Sequence, residues 1–170
     1  KTPDYTALYA DVSVGLTGVE ESSSSFADVD GDGDQDVLVT GMTGFDSDSN
    51  PITETTLYIN EGNGSFTGAN AGLENVYGSS SEFVDVDADG DQDLVLMGEK
   101  ADRSETATLC LNDGTGNFSS ANAGLTGRSN GSVSFADVNG NGAPDLLITG
   151  SYGTDLYVND GNGNYTEETN

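Results

Sequence analysis

A 16-residue sequence that occurs three times constrains the fold of this chain more than any other feature. The copies are FADVDGDGDQDVLVTG from Phe26, FVDVDADGDQDLVLMG from Phe83 and FADVNGNGAPDLLITG from Phe135. A second block follows each copy, as LYINEGNGSF, LCLNDGTGNF and LYVNDGNGNY. Each second block is read as a strand, an Asn-x-Gly-x-Gly turn and another strand that opens with an aromatic residue. The chain is therefore a set of repeats.

Each repeat is predicted to form four antiparallel strands, A to D. In the first repeat strand A ends near Asp28, strand B is DVLVT, strand C is TLYIN and strand D begins at Phe66. Strand B is apolar on both faces, as VLV, LVLM and LLI indicate, so we expect sheets stacked face to face. Repeats of about 50 residues that cannot bury both faces alone favour an all-β fold of β-propeller-type blades. An open solenoid of sheets is the alternative.

Spacing predicts how the blades divide the chain. The aromatic residue that opens strand D precedes the next leading phenylalanine by 17 residues, as from Phe66 to Phe83. Counting back 17 residues from Phe26 reaches Tyr9, so an extra N-terminal strand is expected to be the last strand of a preceding blade. The prediction is one repeat domain over 1–170, with the extra strand in 1–16 and blades over 22–73, 79–125 and 131–170.

Charge and composition exclude several classes of function. Thirty acidic residues against four basic ones give a net charge of -26, which would repel nucleic acid and anionic membrane surfaces. Membrane insertion is not expected, because no apolar run approaches the roughly 20 residues of a membrane span. Cys110 is the only cysteine, so a disulfide within the chain and a thiolate metal cluster are both excluded.

The first two repeats carry an acidic loop of the pattern D-x-D-x-D-G-x-x-D, and the third has D-x-N-x-N-G-x-x-D at the same place. Alternate residues of a tightly curled loop can point inward, and Gly33 permits the sharp turn. Two carboxylates about 4 Å apart repel by roughly 4 kcal/mol at an effective dielectric of 20, a cost that a divalent cation removes. Oxygen ligands without histidine or cysteine select calcium over zinc or copper, and a mostly protein-built cage with six or more oxygens suits calcium better than magnesium. The predicted ligands, with the backbone carbonyl at position 7, are Asp28, Asp30, Asp32, Asp34 and Asp36; Asp85, Asp87, Asp89, Asp91 and Asp93; and Asp137, Asn139, Asn141, Ala143 and Asp145.

The three calcium loops are not expected to be equivalent. In the third loop Asn139 and Asn141 replace two carboxylates, so it should be the weakest of up to three calcium sites. An EF-hand is excluded, because position 12 holds Val39, Leu96 or Ile148 instead of glutamate and the flanking segments are strands. A solvated acidic turn without an ion is the alternative.

These loops, each between a leading phenylalanine and an apolar strand, resemble the FG-GAP and VCBS repeats, which form the blades of integrin α-subunit propellers. The resemblance covers nearly the whole chain and implies calcium-loaded blades in a secreted or cell-surface protein that serves adhesion or recognition. Such propellers usually close with about seven blades, whereas three repeats are found here. The alternatives are a fragment of a longer propeller, a six-bladed ring of two chains, or a head-to-tail stack of chains.

Partners are expected at the end of the blades that carries the B–C loops, because only these loops vary in length. A protein or glycan ligand is the expected partner there, and tolerated surface insertions are the alternative. Tyr58, Tyr157 and Cys110 occupy one position of strand C and are interpreted as packing residues in preference to a sugar platform. The candidate contact residues are Phe45, Asp46, Asp48, Asn50, Lys100, Asp102, Arg103 and Tyr152.

The function predicted is a non-enzymatic, extracellular recognition module in which calcium is structural. The second hypothesis is a structural subunit of an extracellular filament or sheath, self-associating through open blade faces and strand addition. Catalysis is disfavoured, because the chain has no histidine and nearly all clustered carboxylates are assigned to calcium. A hydrolase with paired carboxylates would need one acid with a raised pKa in an apolar pocket.

Overall fold

Twelve β-strands build the part of the chain that the structure, a computed structural model, describes, residues 15–168. They form three antiparallel sheets of four strands, and within each sheet the neighbours follow the order of the sequence. Blade 1 contains β1 (Glu20–Ala27), β2 (Asp36–Phe45), β3 (Pro51–Asn60) and β4 (Phe66–Ala69). Blade 2 contains β5 (Tyr77–Val84), β6 (Asp93–Glu99), β7 (Glu105–Asn112) and β8 (Phe118–Ala121). Blade 3 contains β9 (Ser132–Ala136), β10 (Asp145–Gly150), β11 (Gly153–Asn159) and β12 (Tyr165–Glu167).

This topology confirms the predicted all-β fold of four-stranded, propeller-type blades. The extra strand predicted around Tyr9 lies outside the described residues, apart from Gly15 and Leu16, which are not in a strand. No helix long and apolar enough to cross a membrane is found between residues 15 and 168.

The variable B–C segments differ mainly in hairpin length. In blade 1 the strands continue until Phe45 pairs with Pro51, so five residues remain for the turn. In blade 3 the hairpin closes as soon as Gly150 pairs with Gly153. The sequence predicts a loop between Gly41 and Leu57, but most of these residues lie in strands β2 and β3.

A close approach of the backbone at or just before the start of strand A explains why each 16-residue copy ends in glycine. The pairing register shifts between Glu20 and Ser23 in blade 1, where Glu21 has a φ of 47°. This bulge presses the backbone against strand B. A Cβ atom on Gly41 would lie 2.7 Å from the carbonyl oxygen of Glu20, closer than van der Waals contact permits. Equivalent close approaches of 2.9 and 2.8 Å occur at Gly98 and Gly150.

The blades pack face to face through two apolar cores. The first core joins Val29, Leu38 and Leu57 of blade 1 to Leu94, Leu96 and Cys110 of blade 2, with Phe83 and Phe118 against it. The second core joins Val86, Val95, Met97 and Leu109 of blade 2 to Val133, Leu146, Ile148 and Tyr157 of blade 3. Strand β6 is thus buried on both faces, as its apolar sequence predicts. We call the surface that meets the preceding blade the rear face and the surface that meets the following blade the front face.

The first strands of neighbouring blades lie side by side and are joined by serine and threonine hydroxyls. Ser25 and Ser81 share a hydrogen bond of 2.9 Å between their Oγ atoms, and Thr40 and Ser79 share one of 2.7 Å. β1 contacts β5 and β5 contacts β9, so strand A of each blade lies beside strand A of the next blade. Because neighbouring strands in each sheet run in opposite directions, the acidic loops and the C–D turns lie together at one end of the blades. The B–C turns lie at the other end.

Candidate metal centre

The first acidic loop begins directly after β1, and its last residue, Asp36, opens β2. The carboxylate of Asp28 accepts backbone hydrogen bonds from Gly31 at 2.8 Å and Gly33 at 3.0 Å, which curls the loop around it. Gly33 has a φ of 95°, a conformation that favours glycine. Carboxylate oxygens of Asp28, Asp30 and Asp36 lie within 4.8 Å of one another, so these three side chains could hold one cation.

The second loop brings together Asp85, Asp87 and Asp89, also with oxygens within 4.8 Å of one another. Two carboxylate oxygens of these residues, Oδ1 of Asp85 and Oδ1 of Asp87, are buried and have no hydrogen-bond partner among the described residues. A buried anionic oxygen without a partner carries a large desolvation cost. A hard cation with oxygen ligands fits this group, because it would supply the missing partner for both atoms.

The third loop keeps the backbone shape with less charge. Asp137 accepts hydrogen bonds from the backbone of Gly140, Asn141 and Gly142 at 2.6, 3.2 and 2.9 Å. Asn141 binds within the protein, since its Nδ2 donates to the carbonyl of Asn159 at 2.8 Å. Only Asp137 and Asp145 are charged among its predicted ligands, so this loop contains no group of three carboxylates.

The structure distributes the predicted ligands unevenly. Asp32 and Asp93 are outside the groups of three, although each belongs to a loop that has one. The carboxylates of Asp34 and Asp91 face C–D turns, where a Cβ on Gly62 or Gly114 would lie within 3 Å of them. The backbone carbonyls at position 7, from Asp34, Asp91 and Ala143, remain predicted ligands.

The aspartate at position 9 connects each loop to strand C, a role that the sequence analysis missed. In blade 1 the two oxygens of Asp36 accept hydrogen bonds from the backbone N–H groups of Val29, at 2.9 Å, and Asn60, at 2.8 Å. Asp93 and Asp145 make the same pair of bonds in blades 2 and 3. All three carboxylates are buried, so position 9 stabilises the loop whether or not it contacts a cation.

Burial and crowding of charge alter the pKa values of the acidic loops. Burial raises the pKa of Asp93 to about 6, and the charges of Asp87 and Asp89 act in the same direction, against two backbone hydrogen bonds. The pKa values of Asp36 and Asp87 are also raised, mainly by burial. In the third loop the pKa of Asp137 is lowered, chiefly by the hydrogen bond from Gly142. Loops 1 and 2 are therefore the places where a cation would relieve the most unfavourable charge.

Asparagines at the end of strand C attach the loops to the next blade. The Nδ2 atom of Asn112 donates to the carbonyl of Val29 at 2.8 Å, and that of Asn159 donates to the carbonyl of Val86 at 2.8 Å. Loops 1 and 2 are thus held by the following blade. The repeated Asn of YIN, CLN and YVN was the available signal in the sequence, but it was interpreted only as part of a turn.

The opposite end of the blades carries the candidate contact residues. Tyr152 is 99% exposed and Phe45 is 59% exposed. Asp46 and Asn50 bind each other and hold their own turn together, with the backbone N–H of Asn50 donating to Asp46 at 2.8 Å. Asp102 likewise accepts a hydrogen bond from Ser104 within its own turn. The remaining candidates are Asp48, Lys100, which lies 4.0 Å from Glu74, and Arg103, which lies 4.0 Å from Glu99.

Comparison with known proteins identifies relatives of this arrangement. A family model described as FG-GAP-like repeat matches residues 28–96 and 85–148, which together cover more than half of the chain. No curated protein matches the sequence. Among solved structures, an Agrocybe aegerita lectin, described for its specific recognition of non-reducing terminal N-acetylglucosamine, is similar with a TM-score of 0.52 and 20% identity. The match covers 86% of this chain but 37% of the lectin, and at this identity it concerns the fold alone.

Proposed function

The chain belongs to the FG-GAP-like repeat family, and on this premise we propose that it is a calcium-stabilised, non-enzymatic recognition module of an extracellular protein. The observation that carries the metal part of the proposal is the pair of buried, unpartnered oxygens of Asp85 and Asp87. The extracellular location rests on the family, whose repeats are typical of secreted and cell-surface proteins. Millimolar extracellular calcium would suit sites of the modest affinity found in extracellular modules.

Calcium would be held by Asp28, Asp30 and Asp36 in loop 1 and by Asp85, Asp87 and Asp89 in loop 2. The ion supplies positive charge that offsets the repulsion between carboxylates gathered in one loop. Loop 3 would bind more weakly through Asp137 and Asp145, with the amides of Asn139 and Asn141. The role is structural, because the loops are joined to strand C and, in blades 1 and 2, to the next blade.

A calorimetric titration with variants in matched positions tests the metal proposal. Asp85→Asn removes one charge from loop 2 and should weaken calcium binding at that loop about fivefold, near 1 kcal/mol. Asp102→Asn, in an exposed turn at the opposite end, changes the net charge equally and should leave calcium binding unchanged. Equal weakening by both substitutions would mean that calcium responds to the overall charge and that loop 2 is not a site.

The recognition part of the proposal places a glycan or protein ligand at the B–C end. Tyr152 and Phe45 offer exposed aromatic surface there, and aromatic residues commonly contribute to recognition. Terminal N-acetylglucosamine is the first ligand to test, since the similar Agrocybe aegerita lectin is described as recognising it. A glycan array probed with the protein, with Tyr152→Ala and with a Glu61→Gln control at the calcium end would measure this. Binding that Glu61→Gln abolishes and Tyr152→Ala leaves intact would contradict the assignment of the B–C end.

A second function, head-to-tail assembly, is favoured by the exposure of blade surfaces that are buried between the other blades. On front faces, Val29 and Val86 are each 1% exposed, whereas the equivalent Val138 of blade 3 is 57% exposed. Leu147, equivalent to the buried Leu38 and Val95, is 37% exposed. We propose that the front face of blade 3 receives a further blade of the same repeat, supplied by a second copy of the chain.

Sedimentation over a range of protein concentrations tests this assembly. Leu147→Asp should weaken self-association at least tenfold, whereas Ile52→Asp, at an exposed aliphatic position of the B–C hairpin, should have no effect. A six-bladed ring would appear as a closed dimer and a stack as a series of larger species. A monomer at all concentrations would overturn the proposed assembly.

A further inference from the structure

A cavity of about 160 Å³ lies between the rear face of blade 2 and the connection that precedes this blade. One side is formed by Leu73 and Glu74, in the connection from blade 1 to blade 2. The other side is formed by blade 2 residues, among them Leu96, Cys110, Phe118 and Ser120. The lining is therefore mixed, because the apolar side chains are joined by polar ones from Glu74, Thr106, Thr108 and Ser120.

In blades 1 and 3 a tyrosine ring occupies the corresponding space. The hydroxyl of Tyr58 accepts a hydrogen bond from the backbone N–H of Thr17 at 2.9 Å. The hydroxyl of Tyr157 accepts one from the backbone N–H of Thr126 at 2.8 Å. Tyr58 and Tyr157 are 6% and 1% exposed. The same contact thus occurs twice: a phenol group from strand C bonds to the backbone of the connection that precedes its blade.

Blade 2 has the same surroundings without the ring. Glu74 follows Leu73 in the sequence AGLE, as Thr17 and Thr126 follow leucine in VGLT and AGLT. Cys110 pairs across the strands with Ser120, as Tyr58 pairs with Gly68, and a Cβ atom on Gly68 would lie 3.8 Å from the tyrosine ring. Both Ser120 and Glu74 line the cavity, so its lining includes the residues equivalent to those beside Tyr58.

Where blades 1 and 3 have a tyrosine ring, Cys110 contributes only a small side chain with a free thiol. The side chain is 6% exposed and forms no disulfide. Burial, followed by the negative charge of Glu74, raises the pKa of the thiol to about 11, so it is neutral at physiological pH. A neutral thiol is a small hydrophobic group with weak hydrogen-bonding capacity.

We propose that this cavity is a binding site for a small monocyclic phenol that takes the place of the missing tyrosine side chain. The volume is close to that of an engineered apolar cavity of about 150 Å³ that holds benzene. The hydroxyl of the ligand would accept a hydrogen bond from the backbone N–H of Glu74, as Tyr58 does from Thr17. The ring would pack against Leu96 and Phe118. The site is separate from the calcium loops, and Glu74 at its edge lies 4.0 Å from Lys100 of the B–C turn of blade 2.

Alkylation of the native protein provides a direct test, because Cys110 is the only thiol in the chain. The probe is 4-methylphenol, the tyrosine side chain as a free molecule, with calcium present throughout. Modification by iodoacetamide is followed by intact mass. At ten times its dissociation constant 4-methylphenol should slow alkylation about tenfold, by mass action. Toluene, which lacks the hydroxyl, should require a higher concentration. A rate that 4-methylphenol leaves unchanged up to its solubility limit would overturn the proposal.

A substitution separates occupation of the cavity from a general effect of the phenol on the protein. Cys110→Tyr should fill the space, raise the melting temperature and abolish the stabilisation by 4-methylphenol that the native protein shows. Cys110→Ala should keep that stabilisation, because the cavity remains. Equal stabilisation of the native protein and a folded Cys110→Tyr variant would contradict the site. If Cys110→Tyr does not fold, the alkylation rates of the native chain decide the question.

Discussion

Loops 2 and 3 have similar backbone conformations but differ in charge and in whether a following blade is bonded to them. In both, the position-9 aspartate bonds to the loop and to strand C, and residues with positive φ at positions 4 and 6 make the turn, Ala88 and Gly90 in loop 2 and Gly140 and Gly142 in loop 3. Loop 2 has three clustered carboxylates and is held by Asn159, whereas loop 3 has two asparagines and an exposed Val138. This comparison shows that hydrogen bonds to the backbone determine the shape of the loop. The charge and the burial of its carboxylates determine how strongly the loop favours a cation.

The largest expected effect of this difference is the loss of calcium from loops 1 and 2. Calcium at ten times the dissociation constant adds about 1.4 kcal/mol per site to the free energy of unfolding. Removal with a chelator should therefore cost about 3 kcal/mol from two sites, and lower the melting temperature by roughly 6–12 °C. Calorimetry with and without chelator measures this, with magnesium added back as the control. An unchanged melting temperature would contradict a structural role for the ion.

Loss of the hydrogen bond that attaches loop 1 to the next blade should have the next largest effect. Asn112→Ala removes the donor to the buried carbonyl of Val29 and should cost about 1–3 kcal/mol, because a buried acceptor loses its partner. Asn60→Ala is the matched control, since the side chain of Asn60 bonds within its own blade, to the carbonyl of Gln35. Chemical denaturation in calcium compares the two. Equal losses of stability would show that the bond between blades contributes nothing specific.

The pH dependence of the calcium-free protein should have opposite signs in the two loops. The folded pKa of Asp93, about 6, lies above its usual value of 3.8, so between these values the folded state binds more protons. Stability from this group falls as pH rises through that window, by at most about 1.4 kcal/mol per pH unit. The pKa of Asp137 is lowered, so its contribution is instead lost as pH falls below about 4. Denaturation between pH 4 and 7 should show calcium-free stability decreasing with pH, and an increase would contradict the loop 2 assignment.

Substitutions that change the charges of loops 2 and 3 in opposite directions should produce the smallest effect, but they compare the two loops most directly. Asp87→Asn should weaken calcium binding at loop 2 about fivefold, near 1 kcal/mol, because one anionic ligand becomes neutral. Asn139→Asp, the equivalent position of loop 3, should strengthen binding there by a similar factor. Isothermal titration of each variant measures both. If Asn139→Asp left the weakest site unchanged, charge would not be the reason for its weakness.

The strands and the acidic loops could be predicted from sequence because their causes are local. Apolar runs on strand B, glycine turns and alternating aspartates each determine the structure of a few neighbouring residues. The bond from Asn112 to Val29 could not be predicted, because it depends on how one blade sits against another. The sequence predicts a loop where blade 1 has a long hairpin, because PITETT is largely polar. In the structure this segment forms a strand that pairs with β2. Cys110 was aligned with two tyrosines, but the cavity became apparent only from the packing.

Direct titration of the calcium-free protein with calcium, followed by calorimetry, is the closest test of the central claim that carboxylates were gathered in these loops to bind a cation. The account predicts two stronger sites and a weaker third, with one of the stronger pair weakened about fivefold by Asp85→Asn. A titration that releases or absorbs no heat, together with an unchanged melting temperature in millimolar calcium, would contradict it.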